Sequence, residues 1–163
     1  MIQKKICLLG ATGVGKTSLV KQFVEGIFSE KYLTSIGVKV DKKLVETSKQ
    51  AVQLMIWDIE GIDPYCGFNA KYLRGASAFI IVTDHTRSQS LSEGFDIFKM
   101  VKEVTEIPGV LAINKSDLPA TWYWNDIELQ NFKQYFIQSF NTSAKTGNGV
   151  ASLFSYLAEQ LIE

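Results

Sequence analysis

The chain has 163 residues, and its 17 basic and 17 acidic side chains balance to a formal net charge of zero. This length suits a single domain over residues 1–163, and the balanced charge does not favour a nucleic-acid partner. The longest apolar run is far too short to cross a bilayer, and two cysteines without metal-site spacing fit a reduced, cytoplasmic protein.

Apolar patterns predict strands and helices that alternate along the chain. The predicted strands cover residues 4–9, 38–45, 50–57, 78–83, 110–113 and 136–140. One predicted helix begins after residue 16, and four others cover residues 70–73, 90–104, 126–135 and 149–162. Strands that alternate with helices indicate an α/β fold with a parallel sheet, in which ligands bind at the carboxyl ends of the strands.

Residues 10–17, GATGVGKT, fit the phosphate-loop spacing G-x-x-x-x-G-K-[ST] between a strand and a helix. Such a loop turns backbone N–H groups toward a polyphosphate, and the helix directs its positive end at the same charge. Lys16 supplies a cation to the outer phosphates, and the Thr17 hydroxyl suits Mg²⁺. A chance match in an ordinary glycine turn is the alternative. The predicted phosphate-binding residues of this loop are Gly10, Gly13, Val14, Gly15, Lys16, Thr17 and Ser18.

Residues 58–61, DIEG, follow directly on an apolar strand. A carboxylate at Asp58 can hold a water of the magnesium shell, and the N–H of Gly61 can meet a terminal phosphate oxygen. A plain turn of the D-x-x-G kind is the alternative.

Two further motifs predict recognition of guanine. Asp117, in the segment NKSD at residues 114–117, can accept hydrogen bonds from N1–H and the 2-amino group, which adenine does not offer. Asn114 and Lys115 would brace the loops and cover the base. In the segment SAK at residues 143–145, the N–H of Ala144 could read the guanine carbonyl oxygen. A helix-capping turn is the alternative for the first segment, and the second is uninformative alone.

In this order the four motifs resemble those of small GTPases of the Ras superfamily over essentially the whole chain. The Rab branch is most similar, through the segments TSIG (34–37), WD (57–58), YLRGA (72–76) and TSAKTG (142–147). The resemblance implies a P-loop NTPase fold with a six-stranded, mostly parallel sheet, one antiparallel strand and about five helices. It also implies bound GTP or GDP with Mg²⁺, and guanine contacts that include Ser143 and Lys145.

The resemblance assigns roles in two switch loops as well. Phe28 matches the aromatic that packs edge-on against guanine, and Tyr32 the aromatic that folds over the phosphates. Ser35 lies at the position of the threonine that ligates Mg²⁺ when the γ-phosphate is present. Serine lacks the methyl group that stiffens χ1, so we expect a more loosely held switch I. Switch I (residues 29–38) and switch II (residues 58–73) would bind an effector, an exchange factor and an activating protein, and we expect a monomer.

The chain departs from the family at its catalytic positions. Ile62 stands where relatives carry the glutamine that orients the attacking water, so we expect slow hydrolysis assisted by Lys16 and Gly61. Glu60 replaces a small residue and could repel the nucleotide, hold a magnesium-shell water, position the attacking water or simply point to solvent. Thr12 adds bulk to the phosphate loop.

The arginines and the chain end bear on partners. With only Arg74 and Arg87 in the chain, no arginine offers itself in cis, so an arginine or glutamine that accelerates hydrolysis would have to come from a partner. The chain stops at residue 163 without a terminal cysteine motif, so either the protein is naturally unlipidated or a lipidated tail follows this residue; within residues 1–163 we expect no membrane anchor.

Two other functions stay open. A scaffold that binds GTP or GDP without useful hydrolysis is the first, because Ile62 would permit it. A P-loop ATPase or kinase is the second, although Asn114 and Asp117 argue against it.

Overall fold

The computed structural model describes residues 2–28, 37–60, 70–119 and 126–162. The strands are β1 (Ile2–Leu9), β2 (Val38–Glu46), β3 (Ala51–Ile59), β4 (Ala76–Asp84), β5 (Gly109–Asn114) and β6 (Gln138–Asn141). The helices are α1 (Lys16–Glu25), α2 (Gln89–Val104), α3 (Asp126–Lys133) and α4 (Val150–Gln160), and a short 3₁₀ helix covers Ala70–Leu73.

The six strands form one sheet in the order β2-β3-β1-β4-β5-β6. All neighbouring strands are parallel except β2 and β3, which pair antiparallel. The predicted six-stranded, mostly parallel sheet with one antiparallel strand is therefore confirmed. Within the described ranges, four α-helices and the 3₁₀ helix correspond to the five or so helices expected.

The central strands are buried on both faces because helices cover both sides of the sheet. Along β1 the side chains alternate: Ile6 and Leu8 belong to a core shared with α1 and α4, whereas Cys7 and Leu9 belong to a second core shared with α2 and α3. This double burial explains why the second half of β1 and most of β4 and β5 are continuous apolar runs. It also holds the carboxyl ends of these strands in fixed positions.

Polar residues lie at the carboxyl ends of neighbouring strands of this sheet. The register of β1 on β3 pairs Leu8 with Asp58, and the register of β4 on β5 pairs Asp84 with Asn114. The candidate site is built at these strand ends. Among the described residues, no helix is long and apolar enough to cross a membrane.

Candidate nucleotide-binding site

Side chains bind the phosphate loop through hydrogen bonds to five consecutive backbone carbonyl groups. When the carbonyls of such a loop are bound on one side, the N–H groups between them are free to converge on the other. The donors come from α1, from the end of β5 and from the loop after β4. Lys16 Nζ donates to the carbonyls of Gly10 (3.1 Å) and Ala11 (3.2 Å), Arg87 to Thr12 (3.2 Å), Lys115 Nζ to Gly13 (3.1 Å) and Asn114 Nδ2 to Val14 (3.0 Å).

The loop leads into the start of α1 through Gly15, whose φ of 98° lies in the left-handed region. A Cβ atom there would come within 2.5 Å of Asn114 Nδ2, so glycine is needed for space as well as for backbone conformation. No side chain caps this helix in the part of the chain that the structure describes, and its first turn has no acidic residue. The helix N-terminus thus offers backbone donors and a positive dipole end to an anion.

Two carboxylates from the end of β3 reach the first two residues of α1. Thr17 Oγ1 donates to Asp58 Oδ2 at 2.6 Å, and Lys16 Nζ lies 3.4 Å from Glu60 Oε1. Side chains two residues apart on a strand point the same way, and this spacing brings both carboxylates to the same helix end. The β2–β3 pairing continues one residue further, because the N–H of Glu60 donates to the carbonyl of Gly37 at 2.9 Å.

Glu60 is therefore directed into the site and does not point to solvent. Its side chain is 12% exposed and that of Lys16 is 1% exposed. Burial raises the pKa of the Glu60 carboxyl above its ordinary value, Lys16 opposes this shift, and Asp58 adds to it. The expectation that Glu60 could simply be solvated is wrong.

A buried aspartate organises the outer side of the loop. Asp84 Oδ2 lies 2.9 Å from Lys115 Nζ and 3.5 Å from Arg87 Nε, and Asp84 Oδ1 accepts from the N–H and hydroxyl of Thr86. One carboxylate thus orients both cations that bind the carbonyls of Thr12 and Gly13. Arg87 thus reaches the phosphate loop, whereas the expectation that a partner supplies the group that accelerates hydrolysis stays a prediction.

The predicted guanine-binding residues lie on two adjoining loops that are tied together. Ser143 Oγ donates to Asp117 Oδ1 at 2.7 Å, and the N–H of Ser116 donates to the carbonyl of Thr142. Asn114 is buried and accepts at Oδ1 from the hydroxyl of Thr142, at 3.1 Å. Asp117 is exposed, whereas Ser143 is fully buried, so the serine fixes a carboxylate that faces outward.

Several predicted residues are less closely tied to this constellation or lie outside the described ranges. Phe28 follows α1 and is 38% exposed, and Lys145 is exposed beside the buried Ala144. Ser18 lies in the first turn of α1. Outside the described residues lie Tyr32, Ser35, Gly61, Ile62 and most of both switch loops, and their roles stay predictions.

Sequence reasoning missed Asp84, Arg87, Thr142 and Gln22 as parts of this site. Gln22 Nε2 donates to the carbonyl of Ala144 at 2.7 Å, which ties α1 to the loop at 143–145. Asp84 could have been found by the rule that identified the others, since it too ends a buried parallel strand. Arg87 and Gln22 act through long side chains across the fold, and no local spacing signals that.

The donor set at the start of α1 suits Mg²⁺. A hydroxyl and a carboxylate, Thr17 and Asp58, lie side by side, and Mg²⁺ is usually bound by one or two such oxygen groups together with substrate phosphates and waters. Among the described residues there is no cluster of three or more His, Cys, Asp or Glu that could hold a metal ion alone.

A phosphate loop at the end of β1, with two braced loops after β5 and β6, defines a P-loop nucleotide-binding protein. The Ras family model matches residues 5–163, and the chain belongs to that family.

Its relatives lie in the Rab branch. Ras-related protein Rab-13 of the dog Canis lupus familiaris is 30% identical over 161 residues, covering 97% of this chain and 79% of the relative. Ras-related protein SEC4 of Saccharomyces cerevisiae is 32% identical over 161 residues, covering 98% and 75%. Human Ras-related protein Rab-31 is 32% identical over 167 residues, covering 96% and 82%. The chain is thus a small GTPase most similar to the Rab branch, and members of its family bind GTP or GDP, generally with Mg²⁺.

Proposed function

We propose that this small GTPase is a guanine-nucleotide switch whose site residues act as assigned below. The observation that carries the proposal is the pair formed by Asp117 and Ser143 beside the buried Asn114. It supports a carboxylate with fixed orientation at the rim of a pocket, where N1–H and the 2-amino group of guanine can both donate to it. Lys115 would cover the base, and the N–H of Ala144 would read its carbonyl oxygen.

The phosphates would bind along the inner side of residues 10–15 and at the start of α1. Five carbonyls of this loop accept hydrogen bonds from side chains, which supports this placement, since the N–H groups between them are left to converge on an anion. Lys16 would supply the cation. Thr17, with Ser35 from switch I, would ligate Mg²⁺, and Asp58 would hold one of its waters. Bound Mg²⁺ neutralises charge on the phosphate oxygens.

Base specificity tests this assignment. We expect GTP and GDP to compete for the site and ATP to fail. An Asp117→Asn variant replaces one acceptor oxygen by a donor amide, which suits the 2-carbonyl of xanthine. Affinity for GTP should fall about 100-fold or more while affinity for xanthosine triphosphate rises. Equal binding of ATP and GTP by the wild type would overturn the proposal.

The switch itself would depend on contacts to the γ-phosphate. Ser35 and Gly61 would be ordered by it and released on its loss, which changes the surface presented by residues 29–38 and 58–73. Effector, exchange factor and activating protein would read that surface. We place the protein in the cytoplasm as a monomer; two cysteines without metal-site spacing suit a reducing compartment.

Hydrolysis is proposed to be slow because Ile62 cannot orient water. Single-turnover hydrolysis of GTP by the wild type and by Ile62→Gln tests this, with Ile127→Gln on α3 as a control for a new surface glutamine; Ile127 is 72% exposed. A gain confined to Ile62→Gln supports the proposal. If the wild type already hydrolyses GTP well and Ile62→Gln changes little, another group positions the water, with Glu60 the first to remove. If no variant hydrolyses GTP yet all bind it, the scaffold function stands.

A further inference from the structure

The ammonium group of Lys16 has its donors engaged by the protein itself. A lysine ammonium carries three N–H donors. Lys16 Nζ donates to the carbonyls of Gly10 and Ala11 and lies 3.4 Å from the carboxylate of Glu60. A phosphate oxygen that is to be bound by Lys16 must therefore replace one of these three partners.

Glu60 is the partner that a phosphate resembles. It is the one of the three that carries a negative charge, and its side chain approaches from β3, whereas the two carbonyls belong to the phosphate loop. Its backbone is held by the hydrogen bond to Gly37 and its neighbour Asp58 is bound to Thr17, so the carboxylate is anchored close to the lysine. Glu60 also directly precedes Gly61, which the proposed function assigns to the terminal phosphate.

We propose that Glu60 determines the preference among guanine nucleotides, because its carboxylate competes with the outer phosphates for Lys16 and disfavours GTP more than GDP. This inference rests on the proposed function. The γ-phosphate brings the most negative charge closest to residues 60 and 61, so it meets both the competition for Lys16 and repulsion by the carboxylate. GDP meets chiefly the competition for Lys16. GMP, which does not reach Lys16, meets neither.

The consequence is a protein biased toward faster release of GTP than its phosphate loop alone would allow. A hydrogen-bonded charge of this kind typically changes an equilibrium by about 10- to 100-fold.

The test measures dissociation rates and affinities of fluorescent GTP and GDP analogues for the wild type and Glu60→Gln, with and without EDTA, and compares GMP by competition. Glutamine keeps the shape and removes the charge. We expect release of the GTP analogue to slow about tenfold or more, release of GDP to slow less and GMP affinity to stay constant. The effect should persist in EDTA. Glu103→Gln, at an exposed position on α2, is the matched control and should behave as the wild type.

Other outcomes overturn the inference. If Glu60→Gln speeds release only when Mg²⁺ is present, the carboxylate supports the metal shell. If the nucleotide rates do not change, Glu60 does not compete. Glu60→Ala serves as the second variant should glutamine impair folding, with the same expectations. Failure of the proposed function is distinct, because the wild type would then not bind guanine nucleotides at all.

Discussion

The two halves of the site are built differently. On the proposed guanine side, buried Asn114 and Thr142 are joined by a hydrogen bond between neutral side chains, and buried Ser143 donates to the exposed carboxylate of Asp117 and so orients it. On the phosphate side, a buried lysine is paired with a carboxylate that would oppose the charge of the ligand. The proposed guanine half is thus already arranged as its ligand would require, whereas the phosphate half would have to exchange partners to accept one.

The difference follows from where the residues lie. The residues of the proposed guanine side end or follow β5, which is buried throughout, and β6, which is a partly exposed edge strand. The carboxylates of the phosphate side lie at the end of β3. The described residues of both switch segments lie next to them. We expect base recognition to be insensitive to nucleotide state and the phosphate half to carry the switching. The following predictions separate the two halves, from the largest expected effect to the smallest.

Gly15→Ala should damage both halves at once. Its φ of 98° disfavours a side chain, and the new Cβ would lie 2.5 Å from Asn114 Nδ2. We expect the free energy of unfolding to fall by about 2 kcal/mol or more and GDP binding to be lost. Gly75→Ala is the matched control, since Gly75 has a φ of 77° and a Cβ atom at that position would have nothing within 4 Å. If chemical denaturation shows the same loss in the free energy of unfolding for both variants, the contact with Asn114 is unimportant.

Asn114→Ala should damage the guanine half most. The substitution leaves the carbonyl of Val14 and the hydroxyl of Thr142 without their buried partner. We expect a loss of about 1–3 kcal/mol in the free energy of unfolding, together with faster release of GDP. Asn131→Ala, at an exposed position on α3, should leave both unchanged. A stable Asn114→Ala protein with normal GDP release would contradict the view that this side chain joins the halves.

The proximity of the residues proposed to bind guanine was better predicted from sequence than the contacts of the phosphate half, for a physical reason. Asn114, Asp117 and Ser143 end or follow the neighbouring parallel strands β5 and β6, and the carboxyl ends of parallel strands meet at one edge. Their approach therefore follows from topology. Glu60 was a candidate, but the direction of its side chain could not be predicted, because it depends on the β2–β3 pairing continuing to Gly37. Arg87 could not be predicted either, since its contact spans 75 residues of sequence and depends on a long side chain.

Strand and helix boundaries show the same limit on a smaller scale. The pattern predicted β4 over residues 78–83 and β6 over residues 136–140, whereas the strands are Ala76–Asp84 and Gln138–Asn141. Polar Asp84 pairs with Asn114 within the sheet, although its side chain breaks the apolar run. Phe136 is buried in the core shared with α2 and α3 without being part of β6. The hydrophobic pattern predicts which residues are buried, whereas the ends of a strand depend on its pairing with the neighbouring strands.

Arg87→Ala should have a small effect, confined to the phosphate half. The guanidinium binds the carbonyl of Thr12 and pairs with Asp84, but its side chain is 45% exposed, so solvent screens the interaction. We expect nucleotide release to quicken by about two- to fivefold with little change in stability. Arg74→Ala, the only other arginine, is exposed and serves as control. Identical release rates for both variants would mean that Arg87 does not hold the loop.

The smallest effect is expected at Cys7, which tests whether rearrangement of the phosphate half reaches the strand before it. Cys7 is fully buried, and burial raises the pKa of its thiol to about 11. In a Cys66→Ser variant, where Cys7 is the sole thiol, we expect no measurable reaction with a thiol reagent at pH 8 until the chain unfolds. Removal of nucleotide by EDTA should leave this protection intact.

The raised pKa also sets a dependence on pH. An exposed thiol titrates near 9.0, so the unfolded chain loses this proton before the folded one does. The free energy of unfolding should therefore fall as pH rises from about 9 to about 11, and a Cys7→Val variant should lack that part of the decline. Thermal melts across this range compare the two proteins. If Cys7 instead reacts at pH 8 once nucleotide is removed, β1 opens with the phosphate loop, and the division between a fixed scaffold and a rearranging half is wrong.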